Sequence, residues 1–377
     1  MKDRLLDLLA CPHCHKKLKL KAFTRFKHRY GKAAEKNAKA YCKRKKIPYR
    51  AFTQATQEGS LNCPCGRWFP IIDAIPRVLS DDLVATTALK HPGFFQRHQN
   101  RLPRTLGGKP LSQTGMQQKT GDSFGFQWNQ FSEMHSQYRQ NFLNYIHPLT
   151  PSFFKDQTVL DAGSGTGRHS YYAAEFGAEV VAMDLSEAVR TSQRNLEAFP
   201  LSHVVQADIY HPPLARKFDF IFSIGVLHHL PDPQGGFDAL VGRMHEKTRI
   251  FAWVYGKEGR ALKTVGMEKL HDVAKHLPHR LLYYLCYGPA VVYHAVNQVD
   301  LLLQALGATA LAARMPFHYY AQFPFRVKHA DTFDFLSTQV NNYYTQGEFK
   351  KWFTDAHLKD IRITSFLGRS WRGFGRK

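Results

Sequence analysis

Asp161 stands two residues ahead of a glycine-rich turn, Gly163-Ser164-Gly165-Thr166-Gly167, and a second acid, Asp184, follows further along. Glycines at this spacing let a ligand approach the backbone where a helix begins. A dinucleotide-binding turn asks for a further glycine three residues after the second; here that position is Arg168 and the pattern is G-x-G-x-G. The carboxylate of Asp161 would repel a pyrophosphate and attract an ammonium group, and Asp184 suits a ribose diol. S-adenosylmethionine carries both groups and no phosphate. A second set of reactive residues is the cysteine pair Cys11 and Cys14, with Cys63 and Cys65 some fifty residues on. Two close pairs in one short stretch suit tetrahedral thiolate zinc in a reducing compartment better than a disulfide framework. The second pair is C-x-C rather than C-x-x-C, which shortens its knuckle and leaves His13, His15 or Cys42 as alternative ligands. The third set is His228-His229 in the run GVLHHLPDP, either a base or orienting group, or a structural pair.

These residues need a parallel sheet to position them. The apolar runs at 158–160 and 180–183 flank a helix-like stretch at 168–176, and a strand–turn–helix–strand unit is a right-handed parallel crossover. Further strands are expected at 203–208, 218–224 and 249–255, with a helix at 235–245 between the last two. The run at 218–224 is nearly all apolar, as a strand buried on both faces must be. Open parallel sheets bind ligands beyond the carboxyl ends of their strands, so 225–233 should face the reacting group. The stretch 345–357 places Phe349, Trp352 and Phe353 on one side of a helix, and 359–366 and 371–375 alternate as an antiparallel pair. The aromatics Phe124, Phe126, Trp128 and Phe131 precede the glycine turn.

The acid, the turn and the second acid resemble the first two motifs of the class I SAM-dependent methyltransferases. The resemblance implies an α/β, Rossmann-like sheet with an antiparallel final strand. It also implies a cofactor site built from Asp161, Gly163, Gly165, Gly167, Asp184, Leu185, Asp208, Ile209 and Ile224. The words LLACPHC, CPCGRWFPI and DAIPRVL resemble the small zinc-ribbon proteins that activate tRNA, rRNA and translation-factor methyltransferases, and imply structural zinc on Cys11, Cys14, Cys63 and Cys65. The expected organisation is a zinc-ribbon-like domain with a basic insertion at 1–80 and a linker with one short helix at 81–120. A methyltransferase domain at 121–256 and 326–377 follows, interrupted by a helical lid at 257–325.

The chain of 377 residues carries 52 Lys and Arg against 30 Asp and Glu, a net charge of +22. Residues 1–60 hold 17 basic against 4 acidic side chains, so +13 of that charge sits in the first sixth. Such charge suits an anionic partner, RNA or an acidic membrane surface, with Phe23, Phe26, Tyr30 and Tyr41 interleaved around Lys43–Lys46. A solvated helical hairpin is the plainer reading of 16–50. No leader is visible at the start, and the uncharged run 281–299 is interrupted by Gly288-Pro289, so no membrane span is expected. The cytoplasm is the expected location, with the membrane surface as the alternative. Methyl transfer to a small-molecule, lipid-like or saccharide acceptor is the expected function; the alternative is an RNA methyltransferase that binds RNA through the basic ribbon. A binding protein with an inactive catalytic domain fits less well, because Asp161, Gly163, Gly165 and Asp184 are all intact.

Overall fold

The computed structural model describes residues 1–103, 114–258 and 270–377. Among the described residues there are eleven strands: β1 Lys19–Lys27, β2 Gln54–Asn62, β3 Trp68–Ile72, β4 Ile75–Val78, β5 Thr158–Ala162, β6 Glu179–Asp184, β7 Ser202–Ala207, β8 Phe220–Ile224, β9 Arg249–Tyr255, β10 Lys359–Phe366 and β11 Ser370–Arg376. They form one sheet in the order β1-β2-β3-β4-β7-β6-β5-β8-β9-β11-β10. Strands β5 to β9 are parallel, and β11 runs antiparallel to both β9 and β10. The chain winds outward from β5 to β7 and then returns to β8 on the other side, so the sheet reverses between β5 and β8. That is where an open α/β sheet leaves a crevice. The fold class is the one the sequence implied.

The ribbon and the larger sheet are continuous. Strand β4 pairs in parallel with β7, placing Arg77 opposite Gln206 and Val78 opposite Ala207. One apolar core runs through both, with Leu5, Leu9, Phe69 and Val78 in the same cluster as Val181, Met183, Val205 and Leu214. The sequence marks 1–80 as a small zinc-ribbon-like domain, and this shared core is an addition to that reading.

Within that region the helical-hairpin reading of 16–50 fails in its first half. Lys19–Lys27 is a strand on β2, and only Lys32–Lys45 is a helix, α1. The lysines and arginines hid the alternation: Leu20, Ala22 and Phe26 are half-buried while Lys19, Lys21 and Lys27 are exposed. Lysine on an edge strand also discourages pairing with another chain. The leucine-rich start is a short 3-10 helix, Asp3–Asp7.

Where a linker with one short helix was expected, helices α2 Asp81–Lys90, α3 Pro92–His98 and the first part of α4 Thr114–Gln130 are present. Helices α5 Gln137–Ile146, α6 Arg168–Glu175, α7 Val189–Asn195 and α8 Pro233–Val241 cover the central strands, and α9 His279–Leu285 and α10 Tyr287–Ala305 lie in the expected helical insertion. Helix α11 Phe325–Ser337 packs with α4 and α9 through Phe126, Phe131, Leu282, Cys286, Phe333 and Leu336. Helix α12 Gln346–Asp355 starts on a capping box, the Glu348 N–H donating to Thr345 Oγ1 and the Thr345 N–H to Glu348 Oε2. Its Phe349 and Phe353 bury against β11, where Gly373 has no room for a side chain.

Candidate functional site

The glycine turn joins β5 to α6. Its three glycines are in the left-handed region, with φ of +87° at Gly163, +52° at Gly165 and +77° at Gly167. A Cβ on Gly163 would run into Val226, and one on Gly167 would lie 2.6 Å from Ser192 Oγ. The Gly163 and Ser164 N–H groups donate to the Met183 carbonyl at 2.8 and 2.9 Å, which ties the turn to β6. Asp184 accepts the Gly165 N–H at 2.8 Å on one oxygen, and the Ser186 N–H and hydroxyl at 2.8 and 2.7 Å on the other. Asp161 is buried and accepts the Ser170 hydroxyl at 2.7 Å. Burial pushes the Asp161 carboxyl up to about 7, with the Asp184 charge adding to the effect, and burial raises Asp184 too.

The other expected cofactor residues lie along the same edge of the sheet. Asp208 follows β7 and is buried, accepting the Tyr210 N–H at 3.0 Å; Ile209 is its buried neighbour. Ile224 ends β8. Leu185 packs against Leu79 and Leu83, and its carbonyl accepts the Gln206 side-chain amide at 2.8 Å. The segment after β4 therefore flanks the crevice. Beneath it Arg77, fully buried, donates to Glu187 at 2.7 Å and to the Gln206 side-chain oxygen.

The histidine loop lies under the segment 338–344. His229 Nδ1 is 2.9 Å from the Val340 carbonyl. A carbonyl can only accept, so Nδ1 carries the proton and Nε2 is left as the acceptor nitrogen. Burial holds the ring's pKa below its ordinary value, against the opposing pull of Asp334, and the ring is neutral at pH 7. Phe124 lies 5.3 Å from it. His228 is fully buried, its ring 3.9 Å from that of Tyr255, and neither nitrogen has a hydrogen-bond partner.

Sequence reasoning missed the opposite wall. Helix α11 sets Asp331 and Asp334 one turn apart, among Phe333 and Leu336. Burial and the neighbouring Asp334 push Asp331 up to about 7, and burial raises Asp334. Both carboxyls and Arg168 are half-buried. The Arg168 guanidinium lies over the rings of Trp128 and Tyr138, at 5.2 and 5.4 Å. Gln127 is fully buried and bonds to the Asp334 carboxyl, and the Trp253 indole nitrogen is buried without a partner. Buried polar atoms without partners are rare away from ligand sites. Two acids three residues apart beside Phe333 and Phe335 were the available signal.

The four thiols converge: Sγ atoms of Cys11, Cys14, Cys63 and Cys65 all lie within 4.8 Å of one another. Separations are 3.8 Å for Cys11–Cys65 and 3.2 Å for Cys14–Cys63. Tetrahedral thiolate zinc asks for sulfurs about 3.8 Å apart, so the set fits a zinc ion despite the C-x-C spacing. Neither His15 nor Cys42 joins it. His15 Nε2 accepts from Arg243 at 3.0 Å, and Cys42 packs with Tyr41 and Phe52.

Residues 160–246 match the methyltransferase domain family, and residues 2–73 match the Trm112p-like protein family. The chain joins a Trm112p-like domain to a methyltransferase domain. It is 37% identical over 111 residues to an uncharacterized protein of Synechococcus, covering 27% of this chain and 26% of that protein. It is 31% identical over 101 residues to the ubiquinone biosynthesis O-methyltransferase of Hydrogenovibrio crunogenus, covering 24% of this chain and 42% of the other. Over 129 residues it is 30% identical to the tRNA U34 carboxymethyltransferase of Aliarcobacter butzleri, covering 31% and 40%. The matches thus span between a quarter and under half the length of these relatives.

Of the aromatics expected among the basic residues, Tyr41 is buried, and Phe23, Phe26 and Tyr30 are half-buried. Tyr41 is buried and donates to Glu179 at 2.8 Å, Phe23 lies 4.6 Å from the His98 ring, and Arg44 makes a two-pronged ion pair with Asp156. The thiol cluster gives a direct expectation. The full chain expressed with zinc should carry one ion, and Cys14→Ser should lose it along with order in the turns that hold the thiols. Elemental analysis finding no zinc in the wild type, or undiminished zinc in the variant, would overturn that ligand set.

Proposed function

We propose that the chain binds S-adenosylmethionine in the crevice beyond β5, β6 and β7 and transfers its methyl group to a small-molecule, lipid-like or saccharide acceptor. The carrying observation is a pair of carboxylates, Asp161 and Asp184, on either side of a glycine turn with no room for side chains. Asp161 would hold the ammonium, Asp184 the ribose, and Leu185, Asp208, Ile209 and Ile224 the adenine side. Bound there, the cofactor supplies an electrophilic methyl on a sulfonium. The protein's task is then to align the acceptor and keep water out. Phe124, Trp128 and the segment 338–344 exclude water. Arg168, Asp331, Asp334 and Gln127 offer polar partners, and His229 Nε2 takes a proton from an acceptor that must lose one.

An RNA acceptor remains the second reading, on the strength of the +13 in residues 1–60 and the likeness to a tRNA U34 carboxymethyltransferase. The burial of His229 beneath the segment 338–344 and the burial of Tyr41 favour a small ligand.

Asp161 gives the test a pH signature. Its raised carboxyl is mostly protonated at pH 6 and mostly ionised at pH 8, and only the carboxylate attracts an ammonium. S-adenosylhomocysteine, whose ammonium stays charged over that range, should bind about tenfold more weakly at pH 6 than at pH 8, one decade per unit below the pKa. The free fold shows the opposite trend. A folded-state pKa above the unfolded one means the native chain holds a proton the unfolded chain has released, so this group's stabilisation fades as pH rises from about 4 to about 7. In calorimetry Asp161→Asn should bind weakly with a flat profile. A flat wild-type profile with undiminished affinity in Asp161→Asn would remove Asp161 from the site.

A further inference from the structure

Helix α10 is inside out. Two of its polar residues face the protein, while Gln298 stays exposed: Asn297 and Asp300 are fully buried, Asn297 donating to the Phe317 carbonyl at 3.1 Å and Asp300 accepting from His318 at 2.9 Å. Its water-facing side is apolar, with Val291 55%, Val292 65%, Val299 50% and Leu302 58% exposed. Leu281, Tyr284 and Leu285 on α9 extend the same stripe at helical spacing, and Leu306 continues it past the end of α10. A water-soluble surface helix carries the reverse pattern, so this face calls for a cover.

We infer that this stripe docks on an anionic lipid bilayer, lying in the headgroup plane. Charge selects that occupant over a second copy of the chain. From 279 to 320 the sole acid is Asp300, which is buried and paired, whereas Arg280 and Arg314 stand exposed on α9 and just beyond Leu311. The chain as a whole is +22, which repels another copy and attracts acidic headgroups. No described helix is long and apolar enough to cross a membrane, so the helix rests on the surface. Tyr284 and Tyr287 have the amphipathic rings that sit at the headgroup level. On its buried side α10 packs on α11, with Lys328 Nζ 3.2 Å from His294 Nδ1, and α11 carries Asp331 and Asp334. The docking face and the proposed acceptor chamber are therefore joined by one helix. Docking itself does not depend on the methyl-transfer reading.

The test is flotation of the full chain with vesicles of phosphatidylcholine alone or mixed with phosphatidylglycerol. The protein should float with the mixed vesicles and stay behind with the neutral ones. The double variant Val292→Glu and Leu302→Glu, at positions already open to water, should bind the mixed vesicles at least tenfold more weakly while holding S-adenosylhomocysteine as the wild type does. Vesicle binding that survives this double variant and is lost on reversing Lys43–Lys46 would assign the contact to the basic N-terminal region and overturn the proposal. So would a wild type that ignores anionic vesicles and is a dimer in solution that the double variant splits. Failure to bind S-adenosylhomocysteine with vesicle binding intact would count against the functional reading alone.

Discussion

Glu179→Ala is expected to destabilise the protein by about 3–5 kcal/mol, the range found when one member of a buried charge network is removed. Glu179 sits on β6 with no exposed surface. Arg4 grips its two oxygens at 2.8 and 3.0 Å, Tyr41 donates at 2.8 Å, and His203 is 3.2 Å away. Burial alone would raise this carboxyl, but the bonds from His203 and Arg4 outweigh it and hold the pKa down at about 2. Burial lowers His203 to about 4, so it is a neutral N–H donor at pH 7 and the charge pair is Arg4 with Glu179. A depressed carboxylate stabilises the fold above its unfolded pKa and loses that effect as pH falls toward 2, so the full effect is present at neutral pH. Arg4 and Tyr41 belong to the Trm112p-like region and Glu179 to the methyltransferase sheet. Alanine would strand a largely buried guanidinium at that junction. Urea denaturation followed by tryptophan fluorescence reads the loss, and Glu179→Gln, which keeps the shape and one acceptor oxygen but not the charge, should lose less. A midpoint shift worth under about 0.5 kcal/mol, the ordinary range for a surface change, would mean the network carries no stability.

That junction shows where sequence reading stops. The catalytic sheet was legible because each strand is a short apolar run ended by chemistry: Asp161 after β5 begins, Asp184 closing β6, Asp208 just past β7. The strands at 249–255 and 359–366 carry the bounds their apolar and alternating patterns gave. Pairing between β4 and β7 was not legible, because IPRV offers only two register positions and its Arg77 looks like a surface residue. Its burial is explained only by Glu187 and Gln206 beneath the crevice. Strand β1 was hidden by charge density, since an edge strand uses lysine on its open positions as a solvated helix does. The thiolate set was legible despite its irregular spacing, as close approach depends on the knuckle turns rather than on residue counts. Asp331 and Asp334 lie about 165 residues beyond the glycine turn, and only the packing of α11 on α4 brings Asp334 near His229.

His229→Ala should lower the rate of methyl transfer by about a hundredfold to ten-thousandfold, the usual contribution of a positioned base, while leaving S-adenosylhomocysteine affinity unchanged. The fixed tautomer of His229 sets this expectation. With Nδ1–H held by the Val340 carbonyl, Nε2 is the nitrogen left to accept a proton, and burial, against the opposing effects of Asp334 and Asn341, keeps the ring neutral at pH 7. A base whose pKa is lowered stays unprotonated as pH falls until its own pKa is reached. The acid limb of kcat should therefore lie below the ordinary histidine value of 6.5. Saturating cofactor removes the Asp161 contribution, so the limb that remains belongs to the acceptor side. Small-molecule and lipid extracts incubated with methyl-labelled S-adenosylmethionine supply a readout before the acceptor is identified. The His229→Ala variant should lose both the rate and the acid limb. His229→Gln, which can still bond to Val340 but cannot take a proton, separates a base from an orienting group: recovery of the wild-type rate in glutamine would show orientation alone. His228 predicts a different outcome. Its orphaned nitrogens and tight contact with Tyr255 make His228→Ala a packing change, expected to lower stability with the acid limb still in place.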